Sequence, residues 1–184
     1  MKIFSNISPG RFAVSNLKLL IPFLLLVGMK PSTNEGNEYS IKAMFIYNFT
    51  RHIEWPPSAN AGTFRIGVFG KSEIVEALDA ISMHKKVDNR QIEIRIVEPD
   101  DNSFYQIIFV SRSQSDKIQG LVKKYTGKGV LIVSEECKLS EHGATINLIT
   151  SENKVRFELN LPSARSAGLK ISAALTKLAI VVNP

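Results

Sequence analysis

The chain has 184 residues, 44% of them hydrophobic, and this length suggests one domain that can build its core without metals or disulfides. The formal net charge of +6 falls to +2 without the first 30 residues, which hold four of the 23 basic residues and none of the 17 acidic ones. The nearly neutral remainder removes the main electrostatic reason to expect a nucleic-acid partner, so we expect none.

The first 30 residues have the pattern of a secretory signal segment. Basic residues as far as Lys18 precede the apolar run Leu19–Val27, and Gly28 follows. The run is too short for a membrane-spanning helix, which needs about 20 apolar residues. An uncleaved membrane anchor and a buried helix are the alternatives, because no clear cleavage site of small residues is present. We expect export, cleavage of residues 1–30 and a flexible polar lead-in over residues 31–38.

Helices and strands alternate in the next part of the chain. A helix that begins near Tyr39 must end before Pro56, because the residue before a proline avoids the helical conformation. Ser72 is placed to cap a later helix. The patterns predict two strands and one helix here, at Thr63–Phe69, Gln91–Val97 and Glu73–Ile81.

Two continuous apolar runs, Tyr105–Val110 and Val130–Val133, are candidates for buried parallel strands. A helix over Gln114–Tyr125 is predicted between them, with its apolar positions on one face. A further strand is predicted at Thr145–Ile149.

The C-terminal stretch changes its period. From Val155 to Leu161 apolar and polar residues alternate strictly, which predicts a half-buried strand. Pro162 ends this strand and suits the first turn of a helix over Ser163–Ala167, after which Gly168 fits a left-handed cap. Ser172 can cap a second helix. The predicted apolar face of that helix consists of Leu175, Leu178, Ala179 and Val182.

Alternating strands and helices predict a single α/β domain over residues 39–184. We expect a three-layer sandwich with a mostly parallel central sheet, a C-terminal antiparallel hairpin and flanking helices. Sheets of this kind form a crevice at the carboxyl ends of their strands, here near Gly70, Ser111 and Ser134.

The sequence contains none of the common catalytic signatures. Gly70-Lys71-Ser72 ends like a phosphate-binding loop, but Arg65 stands where the motif needs a glycine. An ordinary strand-to-helix turn, or a weak anion site at the helix N-terminus, remains. Cys137 and His142 are too few for a zinc site. We predict no enzymatic activity, no cofactor and no metal.

Two sets of residues are candidates for partner binding. The first is the polar row of the last long strand, which consists of Arg156, Glu158 and Asn160. A solvated sheet face and an internal arginine–glutamate pair are its alternatives. The second set consists of Tyr47, Asn48 and Trp55. Aromatic residues at helical spacing usually belong to the core, and a buried asparagine needs hydrogen-bond partners.

Two segments resemble the YfiR-like family of bacterial periplasmic regulators. Lys42–Pro56 has the sequence Lys-Ala-Met-Phe-Ile-Tyr-Asn-Phe-Thr-Arg-His-Ile-Glu-Trp-Pro. The C-terminal part contains, in order, Arg-Phe-Glu-Leu-Asn-Leu, Ala-Gly-Leu-Lys-Ile-Ser and Leu-Thr-Lys-Leu-Ala. Phe69-Gly70 and Gly143–Asn147 also fit, so the resemblance covers residues 39 to 182.

The resemblance implies a non-enzymatic protein of the periplasm. Such proteins bind the periplasmic domain of a membrane-bound diguanylate cyclase and hold it inactive, which lowers cyclic-di-GMP and biofilm formation. An outer-membrane lipoprotein is a further implied partner, and a homodimer is an implied state. The alternative is a periplasmic sensory or small-ligand-binding module that acts with another signalling or transport protein.

The resemblance also carries expectations about single residues. It implies that the two signature segments pack together and that Asn48 helps to hold the polar row. Some members of the family carry paired cysteines, whereas Cys137 has no second cysteine for an intrachain disulfide. An inert thiol and an intermolecular disulfide are the two interpretations of Cys137.

Overall fold

The computed structural model of the protein describes residues 34–137 and 143–182. The predicted signal segment at residues 1–30 and His142 lie outside the described residues. Five α-helices occur in the described part of the chain: α1 (Asn34–Phe49), α2 (Ile74–Ser82), α3 (Ile118–Tyr125), α4 (Leu161–Ser166) and α5 (Ala173–Leu178). Short 3₁₀ segments occupy Pro57–Ala59 and Arg112–Lys117.

The ten strands of the described residues are between two and eight residues long. They are β1 (Ile53–Glu54), β2 (Phe64–Phe69), β3 (Lys86–Val87), β4 (Arg90–Val97), β5 (Ile107–Val110), β6 (Leu131–Glu135), β7 (Ile146–Ser151), β8 (Lys154–Asn160), β9 (Lys170–Ile171) and β10 (Ile180–Val182).

Eight of these strands form one sheet in the order β10-β8-β7-β6-β5-β2-β4-β3. All the neighbour pairs from β4 through β2, β5 and β6 to β7 are parallel. The hairpin of β7 and β8 is antiparallel, with Leu148 opposite Phe157. β1 and β9 form a separate antiparallel pair. The predicted α/β fold with a mostly parallel sheet and a C-terminal hairpin is therefore confirmed.

Helices cover both faces of the sheet and produce two apolar cores. On one face α1 and α2 bury Ile46, Phe49 and Leu78 against the sheet. On the other face α3 buries Ile118 and Leu121. The continuous apolar runs of β5 and β6 are buried because both faces of these central strands are covered. These three layers agree with the predicted sandwich.

α1 begins earlier than the sequence pattern predicted. It starts at Asn34, so residues 34–38, which were expected to be a flexible lead-in, belong to the helix. Glu38 explains the extension, because its carboxylate contacts Lys42 one turn later and the Thr150 hydroxyl at the end of β7. A contact across the fold thus stabilises a polar first turn.

The chain after Ser172 also differs from the prediction. Ser172 caps α5 by accepting a hydrogen bond from the Leu175 backbone N–H at 3.2 Å, but the helix ends at Leu178. Residues 180–182 form β10, which pairs in parallel with β8. The predicted apolar helix face is therefore wrong at its far end, and the Leu178 side chain is 72% exposed.

The helix predicted over Gln114–Tyr125 is α-helical only from Ile118, because the preceding turns are 3₁₀. Gly168 has a φ of +79°, which confirms the predicted left-handed position after α4. None of the helices between residues 34 and 182 that the structure describes has the length and apolarity needed to cross a membrane.

Candidate functional site

A cavity of about 660 Å³ opens at the carboxyl ends of β2, β5 and β6. The chain leaves β2 towards β4 on one side, whereas β5 lies on the other side of β2, so the strand order reverses here. Ligand sites of open α/β sheets occur at such reversals. The cavity lies next to Gly70, Ser111 and Ser134, as predicted, and we call it the charged crevice.

Charged side chains dominate the charged crevice. Five of its eleven lining residues are glutamates and three are basic, and they come from α1, the β2–α2 connection, α2 and the ends of β5 and β6. The lining residues are Glu38, Tyr39, Lys42, Lys71, Ser72, Glu73, Val75, Glu76, Arg112, Glu135 and Glu136. Most small-molecule pockets are mainly apolar, so this lining favours a polar and charged ligand.

Lys42 lies beneath the charged crevice and is almost completely buried. Its Nζ atom lies 2.7 Å from a Glu38 carboxylate oxygen and 2.9 Å from a Glu135 oxygen. The side chains of Lys42 and Glu135 are only 2% and 4% exposed, whereas Glu38 is 32% exposed. A buried ammonium needs such partners, because desolvation of an unpaired charge costs several kcal/mol.

Lys42, Glu38 and Glu135 form a charged triad, and the contacts between them determine the ionisation of its members. Burial alone lowers the pKa of the Lys42 ammonium, but its hydrogen bonds to Glu38 and Glu135 outweigh burial and raise that pKa above its ordinary value. The hydrogen bond from Lys42 lowers the pKa of the Glu38 carboxyl, against the opposing effect of burial. Lys42 and Glu38 are therefore both charged near neutral pH.

Three side chains form a row along the edge of the charged crevice. Phe69, Val110 and Ser134 are register partners on the adjacent strands β2, β5 and β6. Lys71, Arg112 and Glu136 each come two residues after one of these partners. Because adjacent strands are about 4.8 Å apart, the row places two cations beside one carboxylate at the same edge.

The backbone at this edge has two left-handed positions. Gly70 has a φ of +89°, and a Cβ atom there would collide with the Ser111 hydroxyl oxygen. Glu136 has a φ of +48°, which is uncommon for a residue other than glycine. Its carboxylate accepts a hydrogen bond from the Thr150 backbone N–H, which helps to hold this conformation.

A second polar cluster lies within the sheet around Asn147. The Asn147 amide nitrogen donates to a Glu158 carboxylate oxygen at 2.8 Å and to the Cys137 carbonyl at 2.8 Å. The Ser134 hydroxyl donates to the side-chain oxygen of Asn147. The Cys137 thiol in turn donates to the Ser134 oxygen at 3.0 Å. Burial raises the pKa of the Cys137 thiol, which agrees with an inert thiol.

The polar row of β8 has three different environments. Arg156 is exposed. Glu158 is half-buried and bonded to Asn147, which is opposite it in the β7–β8 hairpin. Asn160 is buried, and its side-chain oxygen accepts from the Ser163 backbone N–H at 2.9 Å, which caps α4. Of this row, the structure leaves Arg156 most accessible to a partner.

The second candidate set lies on the α1 side of the chain. Tyr47 is half-buried, and Asn48 is exposed on α1. Trp55 is 6% exposed, and its indole N–H donates to the Gln106 carbonyl at 3.2 Å. This ring also meets Phe64 edge-on. Trp55 therefore acts mainly as a core residue near the amino end of β5.

The two signature segments do pack together, but through aromatic rings. Phe45 and Phe49 of α1 lie 5.8 and 5.2 Å from Phe157 of β8, measured between ring centroids. Because side chains alternate along a strand, Arg156 and Glu158 point to the opposite face. The expected role of Asn48 in holding the polar row is wrong, since Asn147 holds Glu158 instead.

Sequence reasoning missed the charged triad. Lys42 lies on the buried stripe of α1 with Ala43 and Ile46, and it follows Glu38 by four residues. A lysine on an apolar stripe is the signal that indicates a buried ion pair. Its second partner, Glu135, is 93 residues away in the sequence and is the last residue of β6.

The remaining chemical predictions concern the turn at Ser72 and metal binding. Ser72 accepts a hydrogen bond from the Ile74 backbone N–H at 3.3 Å, which agrees with an ordinary turn into α2. Residues 34–137 and 143–182 contain no group of three or more His, Cys, Asp or Glu side chains that could hold a metal ion.

Comparison with known sequences gives one family match. A family model described as YfiR/HmsC-like matches residues 39–180, which is well over half of the chain. A search of curated proteins found no match.

Proposed function

The chain belongs to the YfiR/HmsC-like family, and we infer from this membership that it acts as a regulator in cyclic-di-GMP signalling. The family match over nearly the whole described fold is the observation that carries this proposal. Members of this family are regulators rather than enzymes, so we propose a function through binding.

In its specific form, the proposal is that the exported protein binds the periplasmic domain of a membrane-bound diguanylate cyclase. Binding to the inactive state of the cyclase would shift its population away from the active state, which requires only a difference in affinity between the two states. An outer-membrane lipoprotein that binds the regulator would then release the cyclase. The predicted secretory segment supports the periplasmic location.

The test is affinity purification of the tagged protein from its own cell envelope, followed by mass spectrometry. Recovery of a membrane protein with a diguanylate cyclase domain is the expected result. Recovery of the tagged protein alone, under conditions that keep membrane complexes intact, would contradict the proposal.

A substitution at Arg156 provides a second, more specific test of the cyclase interaction. It is an exposed charge on the signature strand, so Arg156→Glu should weaken recovery of the cyclase about tenfold if the polar row contacts the partner. Lys85→Glu is the matched control, because Lys85 is an exposed cation after α2 and away from β8. Equal loss with both variants would point to net charge rather than to a contact at Arg156.

The charged crevice favours a second proposed function, a sensory module that binds a small ligand. Its volume of about 660 Å³ lies in the range of small-molecule sites, and its position at the strand-order reversal is typical of them. Thermal-shift screening of small polar metabolites against the purified protein tests this function. A screen without any shift at millimolar concentrations would count against it.

A further inference from the structure

We propose that the charged crevice binds a small zwitterion of the ω-amino acid type, in which a cationic and an anionic group are separated by a flexible chain. The inference names the ligand class for the ligand-binding function proposed above and rests on it. It does not depend on the identity of the signalling partner.

The anionic group of the ligand is assigned to the cations at the ends of β2 and β5. Arg112 and Lys71 line the crevice, and both side chains are exposed. Within the described residues neither the Arg112 guanidinium nor the Lys71 ammonium has a hydrogen-bond or ion-pair partner, and only the Arg112 backbone N–H is bonded, to Glu135. A guanidinium with free donors is well suited to a carboxylate.

The cationic group is assigned to the neighbouring carboxylates, where α1 meets β6. Three carboxylates, of Glu38, Glu135 and Glu136, line this end of the crevice together with the single ammonium of Lys42. Lys42 contacts Glu38 and Glu135, so this end keeps an excess of negative charge. An ammonium group of a ligand would offset that excess.

The register of the strands sets the distance between the two groups. Arg112 and Glu136 follow adjacent strands, and Lys71 follows the next strand along. The backbone positions that would hold the two charges of a ligand are therefore about 5 to 10 Å apart, which is one to two strand spacings. The ammonium and carboxylate of an α-amino acid are attached to one carbon and span less than one strand spacing, so a longer zwitterion matches these positions better.

The lining argues against other classes of ligand. Glu73, immediately before α2, and Glu76 in its first turn add two more carboxylates at the crevice, so the acidic residues outnumber the basic ones. This excess disfavours nucleotide polyphosphates, whose phosphates would meet a net negative surface. Only Val75 offers an aliphatic wall, which disfavours an apolar ligand.

Isothermal titration calorimetry with the purified protein tests the inference, with 6-aminohexanoate as the probe. Hexanoate and hexylamine each carry one of its two charges, and glycine carries both on one carbon. We expect saturable binding of 6-aminohexanoate and at least tenfold weaker binding of the three other compounds. No saturable binding at millimolar 6-aminohexanoate, or equal binding of hexanoate or hexylamine, would overturn the inference.

Two variants assign the ends of the ligand. Arg112→Gln should weaken binding of 6-aminohexanoate at least tenfold, and Glu136→Gln should do the same while keeping an acceptor for the Thr150 N–H. Lys123→Gln, an exposed cation on α3, is the control and should leave binding unchanged. Unchanged binding in both crevice variants would contradict the assignment, whatever the result of the cyclase experiment.

Discussion

Lys42 and Glu135 show how strongly one buried charge depends on its partner. Glu135→Gln removes the carboxylate that lies 2.9 Å from the Lys42 ammonium and leaves a charge that is 2% exposed with Glu38 alone. We expect the free energy of unfolding to fall by about 2–3 kcal/mol, measured by urea denaturation. Glu38→Gln should cost less than about 1 kcal/mol, because Glu38 is partly solvated. Equal losses would contradict the assigned difference in burial.

The Glu38 carboxyl also predicts a dependence of stability on pH. Its hydrogen bond from Lys42 lowers its pKa below the ordinary value of 4.5, so the folded state binds this proton more weakly than the unfolded state does. Its contribution is present above about pH 4.5 and is lost as the pH falls through the lowered folded pKa. Urea denaturation between pH 3 and 6 should show a smaller acid-induced loss for Glu38→Gln than for the natural protein. Identical slopes would refute this linkage.

Asp101 and Tyr105 provide a direct test of one hydrogen bond. The Tyr105 hydroxyl donates to Asp101, and this hydrogen bond, together with those from Ser103, lowers the pKa of that carboxyl to about 2. Burial, followed by the contact with Asp101, raises the pKa of the Tyr105 hydroxyl to about 12. In Tyr105→Phe the pKa of Asp101 should move back towards its ordinary value of 3.8, as followed by NMR titration of the carboxyl carbon. An unchanged Asp101 pKa would show that Ser103, its other donor, determines the shift.

The structure changes the expected effect of a substitution at Asn48. The resemblance implied that Asn48 helps to hold the polar row, so that Asn48→Ala would lower thermal stability, whereas the structure leaves this side chain exposed. We now expect the variant to change the free energy of unfolding by less than about 0.5 kcal/mol. A clear fall in melting temperature would restore the original expectation.

At the scale of elements, two caps fix the C-terminal helices. Asn160→Ala removes the acceptor of the Ser163 N–H from a buried position, and we expect a loss of about 1–2 kcal/mol. Ser172→Ala removes the corresponding acceptor of α5 at a half-buried position, with an expected loss of about 1 kcal/mol. Thermal unfolding measures both, and a larger effect at Ser172 would reverse the assigned order.

Elements with a strong local pattern could be predicted from the sequence. Burial on two faces produces a continuous apolar run, as in β5 and β6, and burial on one face produces strict alternation, as in β8. Each of these patterns excludes other structures. Ile180–Val182 has no such pattern, since three apolar residues fit a helix or a strand equally well. Their pairing with β8 decided the outcome, and that contact cannot be derived from local sequence.

Only the position of the candidate site could be predicted from the sequence. The carboxyl ends of β2, β5 and β6 follow from strand order and chain direction, so a crevice beside Gly70 could be expected. Its chemistry could not, because the partner of Lys42 is 93 residues away and the row of Lys71, Arg112 and Glu136 exists only in the register of three strands. The spacing of charged residues in the sequence does not reveal which of them meet across a sheet.

At the scale of the whole molecule, Phe157 joins the beginning and the end of the domain. Phe157→Ala removes the ring that contacts both Phe45 and Phe49, and we expect a loss of about 3–4 kcal/mol from the cavity left behind. Val155→Ala, on the same face of β8 but half-buried, should cost less. Chemical denaturation compares the two variants, and a smaller effect of Phe157→Ala would argue against a shared aromatic core.

The contact between α1 and the last long strand also affects how the chain folds. Glu38 meets Thr150 across 112 residues, so the first helix has no complete binding surface until β7 and β8 are available. Contacts of such long range slow folding, because the loop between them must close first. A chain that leaves its N-terminal helix unpaired during synthesis stays unfolded for longer, a state that the proposed export of this protein through a secretion channel would require.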